Sequence, residues 1–280
     1  MSGPRLLLSG LRFPEDPRWH DGKLWISDMH AGRVLTLDGD GRDETVLTLD
    51  DEPSGLGWLP DGRLLVVSVR ERKLLRREPD GRLALHADLS PVLPFHANDM
   101  VVDARGRAYV GNFGFDLNAG EKPKPTTMAL VHPDGRVAIA ADDLSFPNGT
   151  VITPDGRTLI VGETMAARLT AFDVAADGTL SNRRVWAQLE KAVPDGICLD
   201  AEGAIWVASP VSKAVLRVRE GGEVLDRIDV ETNAYACMLG GADRRTLFLC
   251  TAQDHDPAKT GTHRGRIEAV QVAVPGVGLP

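Results

Sequence analysis

The feature that most limits what this chain can fold into is a short unit of strand, turn and strand that recurs along its length. The clearest copy consists of two apolar segments, residues 197–199 and 204–208, joined by an Asp-Ala-Glu-Gly turn. A repeat of forty-odd residues made of strands and turns is typical of a β-propeller. The six copies are led by Glu15, Ser54, Asn98, Asn148, Asp195 and Cys237, at intervals of 39, 44, 50, 47 and 42 residues.

A second hairpin follows the first in most copies, which predicts four strands in each blade. In the second copy, for example, residues 73–77 are expected to pair with residues 83–88 across a Pro-Asp-Gly-Arg turn. In the last blade, residues 266–272 and 6–8 are expected to supply outer strands, so that the N- and C-terminal strands close the ring. The sequence therefore predicts an all-β fold, a six-bladed β-propeller with four-stranded blades, as a single domain over residues 1–280.

Composition narrows the class of function. With 280 residues, 42% of them hydrophobic, and no long apolar run, the chain can bury a large core without crossing a membrane. A net charge of −8 argues against a nucleic-acid partner. The first ten residues lack the apolar run of a signal peptide, so we expect a cytoplasmic protein. Three cysteines argue against a disulfide framework, and Cys198 and Cys250 lie in apolar strands, as expected of core thiols.

The lead residues are the candidate functional site, because the inner strand of each propeller blade lines the central channel. Their ring contains two carboxylates, Glu15 and Asp195, together with two amides, a serine and a cysteine. Like charges held at a partly buried mouth repel each other, and a divalent cation resolves the conflict most simply. Oxygen ligands without histidine favour Ca²⁺, Mg²⁺ or Mn²⁺, but they also admit Zn²⁺ or Fe²⁺. Asp195, between a proline and a glycine, is the first candidate for a fixed functional group.

A second polar ring is expected about fourteen residues further along, where the second strand of each unit ends. We interpret this ring as support for the ligands or as pocket wall. The alternative is that strand ends are polar simply because they face water. Its members are Asp28, Ser68, Asn112, Glu163, Ser209 and Thr251.

Two longer connections interrupt the regular spacing. Residues 115–127 follow the second strand of blade three, and residues 254–264, with His255 and His263, lie in blade six. Loops of this length on a compact scaffold are candidates for lids or pocket walls. The alternative is an unstructured surface loop.

Several short motifs together resemble the regucalcin (senescence marker protein)/gluconolactonase family, over nearly the whole chain. The motifs are Phe13-Pro14-Glu15, Asn98-Asp99, Ser145-Phe146-Pro147-Asn148-Gly149, Ser181-Asn182-Arg183-Arg184, the stretch from Pro194 to Gly203, and Gly240-Gly241. The resemblance implies a six-bladed propeller that hydrolyses lactones with one catalytic divalent metal ion.

The same resemblance assigns roles to individual residues. It implies that Glu15, Asn148 and Asp195 are metal ligands and that Asp195 is also the general base. It implies that Asn98 contacts the substrate or a metal-bound water, and that Asp116 contacts the substrate from a lid loop. Two mechanisms fit: water activated by Asp195 attacks the polarised carbonyl, or the nucleophile is a hydroxide on the ion.

His96 departs from the pattern, since the sugar lactonases of this family resemble Arg-x-Asn-Asp where this chain has His96-Ala97-Asn98-Asp99. Imidazole offers fewer donors than guanidinium and leaves more apolar volume. We therefore predict a substrate-binding His96 that favours less hydroxylated lactones over aldonolactones.

Three classes of function remain on the sequence alone: a metal-dependent lactonase, a propeller hydrolase of phosphoester or organophosphorus-type esters, and a non-enzymatic calcium-binding propeller. Cys237 has no basic neighbour in sequence and is expected to be a small wall residue rather than a nucleophile. Asp99 is expected to cap local backbone.

Overall fold

The computed structural model describes residues 3–39, 41–256, 258–259 and 264–278, and almost all of its regular structure is β. Six separate four-stranded antiparallel sheets are present. The innermost strands contact one another in a closed cycle, which arranges the sheets as the predicted six-bladed propeller. In the described parts of the chain no helix has the length and apolar character needed to cross a membrane.

The blades follow the order of the chain, each starting at the central channel. Blade one contains β2 (Pro14–His20), β3 (Lys23–Asp28), β4 (Arg33–Leu37) and β5 (Asp43–Thr48); blade two contains β6 (Pro53–Trp58), β7 (Leu64–Ser68), β8 (Lys73–Arg77) and β9 (Leu83–Asp88); blade three contains β10 (Ala97–Val102), β11 (Ala108–Asn112), β12 (Thr126–Val131) and β13 (Val137–Leu144). Blade four contains β14 (Pro147–Ile152), β15 (Thr158–Glu163), β16 (Arg168–Val174) and β17 (Leu180–Gln188); blade five contains β18 (Ile197–Leu199), β19 (Ile205–Ser209), β20 (Ala214–Val218) and β21 (Val224–Asp229).

Blade six joins the two ends of the chain and confirms the predicted closure. Its strands are β22 (Asn233–Gly240), β23 (Thr246–Ala252), β24 (Gly265–Gln271) and, outermost, β1 (Arg5–Leu11). Trp19 of blade one stacks on Phe248 of blade six, with ring centroids 5.5 Å apart. Gly240 makes this contact feasible, because a Cβ there would lie 2.6 Å from the Trp19 ring.

The hairpins form where the sequence supplies turn residues. In blade two, Leu59 and Arg63 bracket a Pro-Asp-Gly turn, and Gly62 adopts a φ of 83°, a conformation that residues with a Cβ seldom adopt. The apolar side chains of the strands pack between neighbouring blades in several clusters of buried residues. Burial of each large aliphatic side chain contributes about 1.5–3 kcal/mol, so the spaces between blades hold most of the hydrophobic stabilisation.

The inner strands approach one another closely because the residue after the lead position is small in most blades. A Cβ at Gly149 would lie 2.4 Å from the Asp195 carbonyl oxygen, and one at Gly196 would lie 2.5 Å from the Ala236 Cβ. In addition, the strand ladder shifts register at or directly beside the lead position in five blades. Bulges of this kind redirect side chains, and here they turn the lead residues toward the channel mouth.

Candidate active site at the channel mouth

Five of the six predicted lead residues occupy equivalent places at one end of the inner strands. Glu15, Ser54, Asn98 and Asn148 are each the second residue of their strand, and Asp195 lies two residues before β18. Backbone bonds extend the ladder to Asp195, whose N–H donates to the Ala208 carbonyl over 3.0 Å. The topology therefore brings these five side chains to one mouth.

The sixth lead position is occupied by Tyr235, and its assignment to Cys237 is wrong. In blades one to four the residue before the lead pairs with the outer-ring residue, as Pro14 does with Asp28. In blade six it is Ala234 that pairs with Thr251, so the lead residue is Tyr235. The strands β22 and β23 are longer than the first two strands of the other blades, so Tyr235 precedes Thr251 by 16 residues rather than about fourteen.

Cys237 lies instead in the core between blades five and six. Its Sγ is 3.9 Å from the Cys198 Sγ and 3.5 Å from the Trp206 carbonyl oxygen. Burial raises the pKa of the Cys237 thiol well above its ordinary value. A buried, protonated thiol is a poor nucleophile, which removes Cys237 from the candidate chemistry.

Hydrogen bonds between blades fix the orientation of the lead residues. The Asn148 amide nitrogen donates to Asp195 Oδ1 over 2.7 Å and to Thr164 Oγ1 over 3.2 Å. Thr164 in turn donates to the Pro194 carbonyl oxygen over 2.8 Å. Asn148 and Asp195 are thus held side by side, with the Asn148 amide oxygen free of protein donors in the described part of the chain.

The two carboxylates of the ring lack a cationic partner. Burial, together with the charge of Asp195, raises the pKa of Glu15 well above its ordinary value. Burial likewise raises the pKa of Asp195 to about 8, with the Asn148 hydrogen bond opposing the shift. Among the described residues, no Lys, Arg or His forms an ion pair with either carboxylate. Two carboxylates in this setting favour a bound cation over the metal-free ionised state.

Arg18, which sequence reasoning missed, is a buried cation beside this ring. Its Nη2 lies 2.7 Å from Asp99 Oδ1, 3.2 Å from Asp16 Oδ1 and 2.7 Å from the Met100 carbonyl oxygen. Asp99 also accepts the Met100 N–H, as its predicted capping role requires, but its ion pair with Arg18 is additional. Arg18 therefore forms its ion pairs with Asp16 and Asp99. It leaves the Glu15 and Asp195 carboxylates without a cationic partner.

Ser54 links this ion-pair cluster to the ring. Its Oγ lies 2.8 Å from Asp16 Oδ2 and 3.5 Å from Asn98 Oδ1. Burial and the neighbouring Asp99 raise the pKa of Asp16 well above its ordinary value. Ser54 therefore directs its hydroxyl toward Asp16, and Asn98 keeps its amide nitrogen for other partners.

The outer polar ring holds the segments that lead into the inner strands. Asp28 Oδ1 accepts the Phe13 N–H over 3.0 Å, two residues before Glu15. Glu163 Oε2 accepts the Ser145 N–H over 2.9 Å, three residues before Asn148. These buried side chains act on the loops that carry the lead residues, so they position the ring.

Two more predicted members of the outer ring, Ser209 and Asn112, bond in related ways, whereas Ser68 donates to Asp51 and Thr251 to Glu268. Ser209 Oγ accepts the Val193 N–H over 3.1 Å, two residues before Asp195. Asn112 Oδ1 accepts the Thr126 hydroxyl over 2.7 Å, at the end of the long connection in blade three. The outer ring is thus a set of supports, consistent with a role behind the site.

His96 lies on an aromatic wall at the same mouth. Its ring stacks on Phe95, with centroids 4.1 Å apart, and meets the Phe113 ring at 88°. Phe113 continues the wall to Phe146, 4.7 Å away. Partial burial lowers the pKa of His96, so the imidazole is neutral at pH 7. Met100, in contrast, is fully buried core.

Asp116 begins a turn in the long connection of blade three. Its Oδ1 accepts the Ala119 N–H over 2.8 Å, and its carbonyl oxygen accepts the Glu121 N–H over 3.0 Å. The negative charge of Asp116 opposes the lowering of the His96 pKa by burial. The other long connection is described only in part. His30 Nε2 donates to the His255 carbonyl oxygen over 2.9 Å. His263 lies outside the described residues.

The donor set suits a hard divalent cation. No group of three or more His, Cys, Asp or Glu placed to hold a metal exists among the described residues. The ring instead mixes two carboxylates with amide oxygens, and calcium and magnesium bind such oxygen donors and fill their coordination with water. The structural observation that fits such an ion is that Glu15 and Asp195 share the mouth with no cationic side chain paired to either of them among the described residues.

Comparison with known proteins gives a consistent result. The family described as SMP-30/Gluconolactonase/LRE-like region matches residues 13–253. A 6-deoxy-6-sulfogluconolactonase of Pseudomonas putida is 27% identical over 95% of this chain and 93% of its own length. A pentonolactonase of Haloferax volcanii is 27% identical over 99% of this chain and 96% of its own length. The crystal structure of a calcium-binding protein, regucalcin, from Agrobacterium tumefaciens superimposes with a TM-score of 0.82 at 25% identity, covering 100% of this chain and 96% of that one.

Proposed function

The chain belongs to the SMP-30/gluconolactonase/LRE-like family, and from this premise we propose that it is a lactonase that opens the ester bond of a lactone with the help of one divalent cation. Relatives named as lactonases align over nearly the whole chain. The observation that carries the proposal is the pair of uncompensated carboxylates, Glu15 and Asp195, at the mouth of the channel.

Glu15, Asn148 and Asp195 are the residues that would hold the cation, which is Ca²⁺, Mn²⁺, Mg²⁺, Zn²⁺ or Fe²⁺. Each offers an oxygen at the mouth, and the bond between Asn148 and Asp195 already brings two of the three together. When bound, such an ion supplies Lewis acidity that polarises the lactone carbonyl.

The side chains of the protein supply the remaining chemistry. Asp195 holds the attacking water and removes its proton as a new bond forms from the water oxygen to the acyl carbon. Asn98 has an amide nitrogen available to orient the substrate, and Asp116 accepts hydrogen bonds from substrate hydroxyls. The ring C–O bond then breaks, and the product is a hydroxy acid.

His96 and its aromatic wall bias the substrate toward less hydroxylated lactones. Neutral imidazole gives one donor and one acceptor, and the Phe95 and Phe113 rings on either side present apolar surface. A site with few polar groups gains little from additional substrate hydroxyls.

A lactone panel tests the proposal. The purified protein is assayed by acid release against gluconolactone and an unsubstituted lactone of the same ring size, before and after chelation and with each metal added back singly. We expect metal-dependent hydrolysis with higher kcat/KM for the less hydroxylated lactone. Hydrolysis of organophosphorus esters alone would favour a different propeller hydrolase, and binding of calcium without any hydrolysis would refute the enzymatic role.

A further inference from the structure

We propose that Tyr235 is a further catalytic residue, whose hydroxyl donates a proton to the oxygen that leaves the acyl carbon when the lactone ring opens. This inference rests on the proposed function and adds to it a residue that the motifs of the sequence do not reveal. It follows from three features of Tyr235: its place in the ring, the bonding of its hydroxyl, and the donors that its neighbours have already used.

The register of blade six places Tyr235 in the ring of lead residues. Ala234 pairs with Thr251, and the ladder shifts register directly after it, as it does at the lead positions of blades one to four. The order of the blades puts Tyr235 between Asp195 of blade five and Glu15 of blade one. Blade three, which carries His96 and Asn98, lies across the channel. A lactone bound between these two sides contacts blade six.

Packing fixes the Tyr235 ring at the level of the mouth. The ring meets Phe13, two residues before Glu15, edge to face with centroids 4.7 Å apart. The Tyr235 carbonyl oxygen accepts the Gly196 N–H over 2.7 Å, which ties its backbone to the residue after Asp195. The side chain is only 4% exposed, so the hydroxyl cannot rely on bulk water for its hydrogen bonds.

The hydroxyl of Tyr235 accepts a hydrogen bond, but its own O–H is not used as a donor within the described protein. The Asn233 amide nitrogen donates to it over 3.2 Å and donates also to the Gln253 carbonyl oxygen over 2.9 Å. In the described part of the chain the hydroxyl donates to no protein group. Buried hydroxyls normally donate as well as accept, so an unused donor at this place points to a ligand.

Apart from Asn98, which lies across the channel in blade three, the neutral donors of the ring are already engaged inside the protein. Ser54 donates to Asp16, and the Asn148 amide nitrogen donates to Asp195 and Thr164. Tyr235 thus supplies a donor that the ring otherwise lacks on the side of Asp195. Burial raises the pKa of Tyr235, and the charges of Asp195, Asp254 and Glu15 raise it further, so the phenol keeps its proton at neutral pH.

The leaving oxygen of an alkyl lactone needs such a donor. When the ring C–O bond breaks, its electron pair stays on an alkoxide, which is too basic to leave without a proton. This oxygen takes the proton of Tyr235, and the proton released by the attacking water returns the tyrosine to its neutral form. The sum of the steps is one water added across one ester bond.

A comparison of two leaving groups tests this role. Tyr235→Phe and the wild type are assayed on δ-valerolactone, which releases an alkoxide, and on dihydrocoumarin, which releases a phenolate that leaves without protonation. We expect kcat on δ-valerolactone to fall by about 10²–10⁴-fold, the usual contribution of acid catalysis, while dihydrocoumarin is little affected. Equal losses on both lactones would overturn the proposal. If the wild type hydrolyses neither lactone, the proposed function itself fails.

The other tyrosine of the chain provides a matched control. Tyr109 is also buried, but its hydroxyl donates to the Gly178 carbonyl oxygen over 2.8 Å in a region away from the mouth. Tyr109→Phe removes the same atom and should not change the ratio of the two rates. Metal affinity, measured by calorimetry, should be equal in both variants, and a loss confined to Tyr235→Phe would show that this residue serves the cation instead.

A second experiment avoids dependence on the folding of Tyr235→Phe. In the Tyr109→Phe background Tyr235 is the only tyrosine, so fluorinated tyrosine incorporated during expression labels this position alone. The fluorine resonance should shift when the product hydroxy acid is added. The rate on δ-valerolactone should change with the acidity of the phenol, and a rate independent of it would contradict the proposal.

Discussion

Asp195→Asn should stabilise the metal-free protein while abolishing its activity. The pKa of Asp195 is raised by burial to about 8, from an ordinary value of 3.8. Because the folded-state pKa is the higher one, the folded protein keeps this proton at pH values where the unfolded chain has lost it. The stability contributed by the proton is present below about pH 4 and is lost as the pH rises toward 8.

The magnitude follows from the size of the shift. Each pH unit above the unfolded pKa costs about 1.4 kcal/mol, which gives about 4 kcal/mol at pH 7 for a fully buried group. Asp195 is partly exposed and interacts with Glu15, so we expect about half of this, about 2 kcal/mol. Asparagine has no charge to bury and removes the cost. For a chain of this size the melting temperature of the variant should be roughly 4–8 °C higher at pH 7.

Thermal and urea unfolding with chelator, from pH 4 to 8, measure this effect. The variant and the wild type should be equally stable at pH 4 and diverge as the pH rises. Added divalent cation should stabilise the wild type far more than the variant, and kcat of the variant should be about 10²–10⁴-fold lower. Asp173→Asn is the control, since Asn182 and Arg184 lower the pKa of that exposed carboxylate. Identical pH dependence of the wild type and Asp195→Asn would refute the reasoning.

Three further substitutions test other parts of the site. Arg18→Met leaves Asp16 and Asp99 buried without a counter-charge, so the free energy of unfolding should fall by about 3–5 kcal/mol; an unchanged melting temperature would contradict the buried ion pairs. Glu163→Gln should weaken metal affinity about 10–100-fold in a calorimetric titration, because the support of the loop before Asn148 is lost; equal affinity would show that this loop is held otherwise. His96→Arg should raise kcat/KM for gluconolactone about tenfold relative to an unsubstituted lactone, since it restores a charged donor, and a falling ratio would speak against the assigned role of this residue.

The repeat of strands and turns was sufficient to predict the propeller, because each blade repeats the same local pattern. The closing of the ring by the N- and C-terminal strands could also be predicted, since each end carries an apolar strand without a local partner. The positions of Glu15, Asn98, Asn148 and Asp195 at one mouth follow from the same periodicity. Their roles as ligands or substrate contacts stay predictions.

What the sequence could not provide depends on contacts between distant residues. Arg18 pairs with Asp99, 81 residues away, and nothing local marks this arginine as buried. Tyr235 was missed because the longer strands of the first hairpin in blade six change the spacing between the lead residue and Thr251, and only the strand pairing reveals this. The orientation of the Asn148 amide toward Asp195 likewise depends on the packing of two blades.

The most direct test of the account is to measure metal content and lactonase activity in the same preparations of the purified protein. Elemental analysis and acid release are followed during stepwise chelation and during titration back with a single divalent metal. The account predicts one divalent ion per chain at full activity, with activity rising in proportion to metal content, and no recovery in Asp195→Asn. Full lactonase activity in protein that contains no divalent metal would contradict it.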